Sequence, residues 1–268
     1  MELFNKKNWI LLREMIKTDF KLRYQGSLVG HLWSILKPLM LFTIMYLVFV
    51  RFLRFDDGTP HYAVGLLLGM VTWNFFTEAT NMGMMSIVSR GDLLRKLNFS
   101  KSIIVFSAIA GAAINYVINL FVVFVFALLN GVPFNLSILV IFPLFVELLL
   151  LSTGIAFFLA SSFVKFRDIG PIWEVLLQAG LYATPIIYSL TFIIQRGQVS
   201  IAKVMMLNPM AQIVQDLRHF LIYPGSIRGW DLIGNHWFAT IPYILPVVVF
   251  VVGYIIFNKN AKKFAEIL

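Results

Sequence analysis

The chain has 268 residues, of which 59% are hydrophobic and 13% charged, and its formal net charge is +9. Soluble globular domains contain about 25% charged residues, so this composition and the mean hydropathy of +0.83 exclude an ordinary soluble domain. The absence of cysteine excludes disulfides, thiolate metal sites and cysteine nucleophiles. With no internal repeat or low-complexity linker, residues 1–268 are predicted to form a single membrane domain.

The first predicted element is an amphipathic interface helix within residues 1–30. This segment is rich in Lys and Arg and has neither a clean apolar core nor a small-residue cleavage site, so we do not expect a secretory signal. From Trp9 to Tyr24, apolar residues recur at helical spacing beside a basic stripe of Arg13, Lys17 and Lys21. This pattern is typical of a helix at the lipid interface. A soluble helix packed on a partner protein is the alternative.

Six apolar stretches follow, and each is predicted to be a transmembrane helix because a helical span needs about 20 mostly apolar residues. They run from Leu36 to Phe55, Ala63 to Met85, Ile103 to Leu129, Ser137 to Phe163, Ile172 to Leu190 and Ile241 to Phe257. We therefore expect an all-α membrane protein with a six-span core over residues 36–257 and a cytoplasmic tail over residues 258–268.

The first and last stretches carry residues that constrain their helices. Lys37 and Arg51 lie near the ends of the first stretch, where their long side chains can reach the two interfaces. Pro242 and Pro246 lie in the last stretch, and proline costs little only near the start of a helix. The last helix is therefore expected to start near Ile241.

Residues 191–240, between the fifth and sixth stretches, are too long for a turn and too apolar for an ordinary loop. The helix-like pieces Ile201 to Met206 and Ile213 to Ile222 are divided by Asn208 and Pro209. Pieces of this length are too short to span a bilayer. We predict re-entrant helices on the external side, with a surface lid above the bilayer as the alternative.

The distribution of Lys and Arg predicts the orientation, because short basic loops stay on the cytoplasmic side. Basic residues concentrate in residues 6–37, 90–101, 165–167 and 259–263, whereas residues 130–136 carry no charge. Both termini are therefore predicted to be cytoplasmic. The positive net charge then suits anionic lipid headgroups rather than nucleic acid.

The segment from Arg90 to Lys101, with the sequence RGDLLRKLNFSK, is the strongest candidate for a protein-docking site. It combines apolar residues for a partner's groove with charged residues for its rim. These residues are Arg90, Asp92, Leu93, Leu94, Arg95, Lys96, Leu97 and Phe99. Arg167 and Asp168, in a second short loop predicted on the same side, would extend the surface. The alternative is a basic loop that only fixes the topology.

Five segments resemble the permease subunits of ABC exporters for cell-surface polysaccharides, with the nearest likeness to wall teichoic acid translocation permeases. They are FKLRYQGSLVGHLWSILKPL from Phe20 to Leu39, LLRKLNFSKSI in the docking segment, FRD from Phe166 to Asp168, ATPIIYS from Ala183 to Ser189, and LNPM followed by Leu217 and Arg218. The resemblance covers essentially the whole chain in order.

The resemblance implies a homodimer in the plasma membrane, bound to two copies of an ATP-binding subunit. Its substrate would be a lipid-linked polymer, either wall teichoic acid or, as the alternative, an O-antigen or capsular polysaccharide. Because the chain lacks a G-x-x-x-x-G-K-[ST] phosphate loop, ATP and Mg²⁺ are placed in the partner, and no cofactor or metal is expected in this chain. By the same resemblance, the ATPases push on residues 90–101 and the N-terminal helix.

A path for such a polymer needs walls that suit sugars, and aromatic side chains offer apolar faces to sugar rings. The candidates on or beside the first and fifth stretches are Trp33, Phe42, Tyr46, Phe49, Tyr182 and Tyr188. Pro185 is expected to loosen the fifth helix and serve as a gate. Arg23 and Lys37 would meet the substrate pyrophosphate at the cytoplasmic entry, or else anchor to lipid phosphates.

Two other functional classes were weighed. Glu78 and Glu147 fall within apolar stretches, where a carboxylate is costly and suggests a proton-coupled secondary transporter. There is no inverted repeat to support that class, and structural hydrogen bonding is the simpler role for both carboxylates. A membrane enzyme is disfavoured because the four histidines are scattered and no H-E-x-x-H or G-x-S-x-G motif occurs.

Overall fold

A computed structural model describes residues 6–22, 29–52, 59–96 and 99–267. Within these residues the chain forms helices and turns and no strand, which confirms the all-α class. The α-helices are α1 (Lys6–Leu22), α2 (Trp33–Met45), α3 (Tyr62–Ser86), α4 (Gly91–Lys96), α5 (Ser102–Leu129), α6 (Ile141–Phe163), α7 (Ile169–Ala183), α8 (Leu190–Gln195), α9 (Val199–Met205), α10 (Pro209–Leu221), α11 (Gly229–Leu232), α12 (His236–Ala261) and α13 (Phe264–Ile267). Shorter 3₁₀ segments lie at Gly30–Leu32, Val88–Arg90 and Leu136–Val140, and a π-helical segment at Tyr46–Phe52.

Three helical segments in the described part of the chain are both long and apolar enough to cross a bilayer. They are Ser102–Leu129, Leu136–Phe163 and His236–Ala261. They coincide with the third, fourth and sixth predicted stretches, so these three predictions are confirmed in position and character. The count of six spans stays a prediction.

Helix α3 coincides with the second predicted stretch but is more polar than those three helices. Its 25 residues rise about 1.5 Å each, which is enough to cross a hydrocarbon core of about 30 Å. Most of its side chains are buried against other helices. Because protein rather than lipid surrounds it, α3 can carry polar residues such as Thr72, Asn74 and Glu78.

The first predicted stretch is a shorter apolar helix that changes its geometry. Helix α2 is followed directly by the π-helical residues Tyr46–Phe52. Pro38 lies inside α2, and Phe42 packs against Phe126 of α5 with ring centroids 5.5 Å apart. The aromatic side chains of this stretch thus anchor α2 to the bundle.

The fifth predicted stretch, Ile172 to Leu190, is not one helix. Helix α7 has 15 residues and ends at Ala183, and α8 begins only at Leu190. Thr184 is extended, with φ −99° and ψ 135°, because a residue before proline avoids the helical region. Pro185 therefore lies in a buried turn, so the expectation that it loosens a helix is wrong, and its role as a gate stays a prediction.

Helix α12 starts earlier than the expected position near Ile241. Asn235 caps it, with its Oδ1 accepting a hydrogen bond from the Trp237 backbone N–H at 3.0 Å. Pro242 and Pro246 consequently lie inside the helix, where both are buried. Proline is tolerated inside membrane helices because neighbouring helices can satisfy the backbone groups it frees.

Glycines allow the backbones of α6 and α12 to approach each other closely. A Cβ on Gly253 of α12 would lie 2.2 Å from the carbonyl oxygen of Gly154 on α6, and a Cβ on Gly154 would lie 2.5 Å from the Phe250 backbone. Small residues at such crossings are typical of helix association in membranes.

Side-chain contacts define two ends of the bundle. At one end, Lys101 donates to the carbonyl of Ala261, and Asn260 Nδ2 donates to Ser161 Oγ at 2.7 Å. At the other end, Tyr62 donates to the carbonyl of Ile187. The predicted cytoplasmic loops all lie at the first end, which we call the loop end, and helices α8 to α11 lie towards the second end.

The predicted helical pieces between the fifth and sixth stretches are present as α9 and α10. Asn208 caps α10, with its Oδ1 accepting from the Met210 N–H at 3.0 Å, and Pro209 is its first residue. Residues Pro209 to Arg218 are all buried against the bundle. Helix α10 is thus packed against α3, α6 and α12, and the re-entrant geometry stays a prediction.

Helix α1 packs along α5 instead of standing apart from the bundle. Met15 is buried, while Trp9, at the start of the predicted apolar stripe, is exposed. The basic residues Arg13, Lys17 and Lys21 are exposed. Helix α1 thus has one face on the protein and leaves its basic stripe available for lipid.

Candidate functional site

A polar cleft of about 550 Å³ lies between α2, α3 and α5. Its lining contains amide, hydroxyl and charged side chains inside an otherwise apolar bundle. The polar lining residues are Ser34, Lys37, Asn74, Thr77, Glu78, Asn81, Asn115 and Asn119. Trp33 and Tyr116 add aromatic surface. Four of the lining side chains are asparagines, so the cleft is rich in groups that both donate and accept hydrogen bonds.

The helical period places these side chains together. Asn74, Glu78 and Asn81 are spaced by four and three residues, so they share one face of α3. Asn115 and Asn119 are four residues apart and share one face of α5. The two polar faces meet in the bundle, because buried polar groups in a membrane protein need partners.

Hydrogen bonds from two of the amides hold the cleft in shape. Asn115 Nδ2 donates to Glu78 Oε1 at 3.1 Å and joins α5 to α3. Asn119 Nδ2 donates to the Ser34 carbonyl at 3.1 Å and joins α5 to α2. Two buried lining atoms, Asn115 Oδ1 and Thr77 Oγ1, have no hydrogen-bond partner among the described residues. The cleft therefore has hydrogen-bonding capacity that the protein itself leaves unused.

The predicted path residues are only partly brought together. Trp33 and Lys37 line the cleft. Phe42 is buried between α2 and α5, and Tyr46 and Phe49 pack against the core beside it.

The predicted path residues of the fifth stretch lie elsewhere in the fold. Tyr182 is exposed, and Tyr188 donates to the Tyr182 carbonyl at 2.6 Å. Pro185 lies in the buried turn after α7. Arg23 lies outside the described residues.

A second cleft, of about 370 Å³, lies next to the first towards the loop end, and both are lined by Met82. Asp19 of α1 and Arg90 border this second cleft. Arg90 forms an ion pair with Asp19, and its Nη1 donates to Ser107 Oγ at 2.8 Å. Arg90 therefore joins α1 to the end of α3 and to α5.

The predicted docking segment turns its apolar residues inward. Leu94 is buried, and Leu93 and Phe99 pack against the core. Asp92 is exposed on α4. Arg95 and Lys96 belong to α4, but their side chains, like all of Leu97, lie outside the described part of the structure.

The second predicted docking turn is exposed. Arg167 and Asp168 both face outward between α6 and α7, next to Phe166, which is also exposed. The Arg167 guanidinium lies over the Phe163 ring, 5.1 Å from its centroid. This turn therefore offers both charge and apolar area at the loop end.

Comparison with known proteins identifies the family. Residues 10–222 match the profile of the ABC-2 type transporters. The chain belongs to this family. This ABC-2 permease is also similar to the O-antigen export system permease protein RfbA of Klebsiella pneumoniae, at 27% identity over 96% of this chain and 95% of the relative. A protein of the same name from Myxococcus xanthus is 29% identical over 76% of this chain and 77% of its own length.

The comparisons confirm the resemblance at the level of an ABC-2 type permease. They do not support its finer part, because these relatives carry the name of O-antigen export and not of teichoic acid export. The family consists of ABC-type transporters, which supports the exporter interpretation over a proton-coupled secondary transporter.

Sequence reasoning did not assign the residues that dominate the cleft of this ABC-2 permease. Asn74, Asn81, Asn115 and Asn119 were not singled out, and Glu78 was assigned either to a proton relay or, more simply, to structural hydrogen bonding. The sequence does contain a pattern that points to these residues, because amides recur at helical spacing within two apolar stretches. The predicted path residues were instead aromatic residues of the first and fifth stretches.

Proposed function

We propose that this permease forms the membrane subunit of an ABC exporter that moves a lipid-linked cell-surface polysaccharide across the plasma membrane. The observation that carries this proposal is the amide-lined cleft between α2, α3 and α5. The names of the relatives support it and favour an O-antigen-type polysaccharide over wall teichoic acid.

The chemistry of the cleft suits a neutral or weakly charged glycan. An amide both donates and accepts hydrogen bonds, so each asparagine can pair with sugar hydroxyls in either sense. Trp33 at the same cleft offers an apolar face to a sugar ring. Lys37 supplies one positive charge for a phosphate of the lipid carrier. A chain of sugars could exchange one set of such contacts for the next as it advances.

The proposed assembly is a homodimer with two ATP-binding subunits. The outer face of α2 is apolar and exposed, with Leu36, Met40 and Ile44 pointing away from the protein. This face borders the cleft, so a second copy packed on it would enclose the path from both sides. Six membrane crossings with both termini in the cytoplasm complete the proposed topology.

The ATPase subunits would bind at the loop end of the bundle. Asp92, Phe166, Arg167 and Asp168 are exposed there. ATP and Mg²⁺ would be bound by the partner, and its closure would reach the cleft through Arg90 and α1. ATP binding can shift the helices only by contacting one arrangement better than the other.

Replacing cleft amides in cells that make the polymer tests the proposal. Asn74→Ala with Asn81→Ala should reduce surface polymer strongly at unchanged membrane levels of the protein, because both side chains line the cleft. Asn130→Ala is the matched control, since Asn130 is exposed at the end of α5, outside the cleft. Wild-type export by the cleft variant would contradict the proposal.

A further inference from the structure

A different cleft, of about 420 Å³, lies where α6, α10 and α12 meet, and the export path proposed above does not use it. It is bounded by Glu147 of α6, Asp216 of α10 and Tyr243 of α12. Trp230 is 39% exposed and stands at its mouth with Arg228. The cleft thus combines a buried and a half-buried carboxyl group with aromatic walls.

Several buried hydrogen-bond acceptors in and beside this cleft receive no hydrogen bond from the described residues. Asp216 is 3% exposed, and its Oδ2 accepts from Tyr243 Oη at 2.7 Å and from Gln212 Nε2 at 2.8 Å. Glu147 interacts with Gln212 through a side-chain hydrogen bond and with Asp216 electrostatically. Asp216 Oδ1, Gln212 Oε1 and Glu147 Oε1 are buried and have no hydrogen-bond partner among the described residues. Asp216 and Glu147 line the cleft, so two of these unpaired acceptor oxygens belong to its wall.

Arg228, the cation in the cleft lining, interacts electrostatically with Asp216 but is paired with Asp231, which is not part of that lining. Arg228 makes a bidentate pair with Asp231, through distances of 2.9 Å and 3.0 Å. The hydrogen bond from Arg228 holds the pKa of Asp231 below its usual value. His219 Nδ1 lies 2.8 Å from the Ser226 carbonyl. Because Arg228 already has its own carboxylate, the cleft remains suited to a positive ligand.

We propose that this cleft binds a primary ammonium group. An alkylammonium carries one positive charge and three N–H donors, and the unpaired oxygens of Asp216 and Glu147, both in the cleft lining, can accept from it. The rings of Tyr243 and Trp230 lie 6.4 Å apart and offer faces that attract a cation.

The composition of the cleft favours an organic ammonium over a metal ion. Val140, Pro143 and Leu144 form an apolar wall that suits the carbon atoms attached to the nitrogen. Among the described residues, no group of three or more His, Cys, Asp or Glu side chains is placed to hold a metal ion. The unpaired acceptors also disfavour a quaternary ammonium, because it has no N–H to donate.

Two sources could supply the ammonium group. One is the ethanolamine headgroup of a phospholipid, since the site lies at the predicted external end of membrane helices. The other is an amino sugar. In either case the ligand would link α10 to α6 and α12 and restrain the re-entrant region.

The test uses the full-length chain in detergent and compares ligands that differ at the nitrogen. Phosphatidylethanolamine is compared with phosphatidylcholine of the same acyl chains, and glucosamine with glucose, by thermal shift and by retention in native mass spectrometry. Losing the N–H donors should weaken binding about tenfold or more. A preference for either amine over its counterpart supports the proposal and names the source. Equal responses within both pairs would overturn it.

Variants localise the effect to the cleft. Glu147→Gln combined with Asp216→Asn should abolish the amine preference, while Glu174→Gln, an exposed carboxylate on α7, should retain it. An amine preference that survives in the double variant would place the binding elsewhere. If that variant does not fold, the wild-type comparison of the ligand pairs decides, and Trp230→Leu provides a milder change at the mouth.

Discussion

Two buried or half-buried arginines hold opposite ends of the bundle. Arg218 donates to the carbonyls of Gly65, Pro185 and Ile186, at 3.2, 2.6 and 2.6 Å, and also to Gln215 Oε1 at 3.0 Å. It thereby joins α10 to α3 and to the turn after α7. At the loop end, Arg90 likewise joins helices, through its ion pair with Asp19 and its hydrogen bond to Ser107 Oγ.

Replacing Arg218 by Lys should destabilise the protein, because an ammonium group cannot reach these carbonyls with the fork geometry of a guanidinium. A loss of about 2–4 kcal/mol is expected. The apparent melting temperature of the purified chain should fall by roughly 5–10 °C. Arg196→Lys, at an exposed position over the Phe192 ring, is the control and should change it little. An unchanged melting temperature in Arg218→Lys would contradict the claim that the guanidinium hydrogen bonds stabilise the fold.

The Arg90–Asp19 pair should show a modest coupling energy. Its side chains are 22% and 24% exposed, so solvent screens the interaction partly. A double-mutant cycle with Arg90→Ala and Asp19→Ala should give a coupling of about 1 kcal/mol. Lys17→Ala, an exposed change on α1, should show no coupling to Arg90→Ala. Additive effects of Arg90→Ala and Asp19→Ala would mean that the pair does not hold α1.

At the scale of helices, the sequence predicts most of the long helices. It does not predict a helix end that is determined by a single residue. The stretch Ala63 to Met85 matches α3 within one residue at each end. The end of α7 and the start of α12 were missed, because Pro185 and the cap at Asn235 act through one or two local contacts. Hydrophobic periodicity averages over several turns and cannot locate such contacts.

The candidate site was predictable only in part, because tertiary packing decides which side chains come together. Trp33 and Lys37 were selected by residue type and do line the cleft. Which polar faces meet depends on the packing of α3 against α5, and the sequence does not specify that pairing. The inward turn of Leu93, Leu94 and Phe99 likewise results from tertiary packing.

The crossing of α6 and α12 should be the least tolerant position for an added methyl group. Gly253→Ala places a Cβ against the Gly154 carbonyl, a backbone atom that cannot move aside cheaply. Overpacking of this kind costs about 1–3 kcal/mol, and thermal unfolding of the purified variant should show it. Gly234→Ala has open space around the new Cβ and is the matched control. Equal melting temperatures for both variants would be inconsistent with this crossing.

For the whole molecule, the topology can be tested without removing any native cysteine, since the chain has none. Single cysteines at Lys165 and Lys259 should be protected from a membrane-impermeant maleimide in intact cells, and one at Lys203 should be labelled. All three positions are exposed in the structure. Labelling of Lys165→Cys before the membrane is opened would reverse the predicted orientation.

The central claim for the whole molecule is that a polysaccharide passes through the cleft between α2, α3 and α5. Its most direct test is photo-crosslinking in cells that make the polymer, with a benzophenone amino acid at Asn81 in the cleft or at Val117 on the exposed surface of α5. We predict a crosslink to polymer from position 81 that depends on ATP hydrolysis by the partner, and none from position 117. Absence of the crosslink at 81, or equal crosslinks at both positions, would contradict the claim.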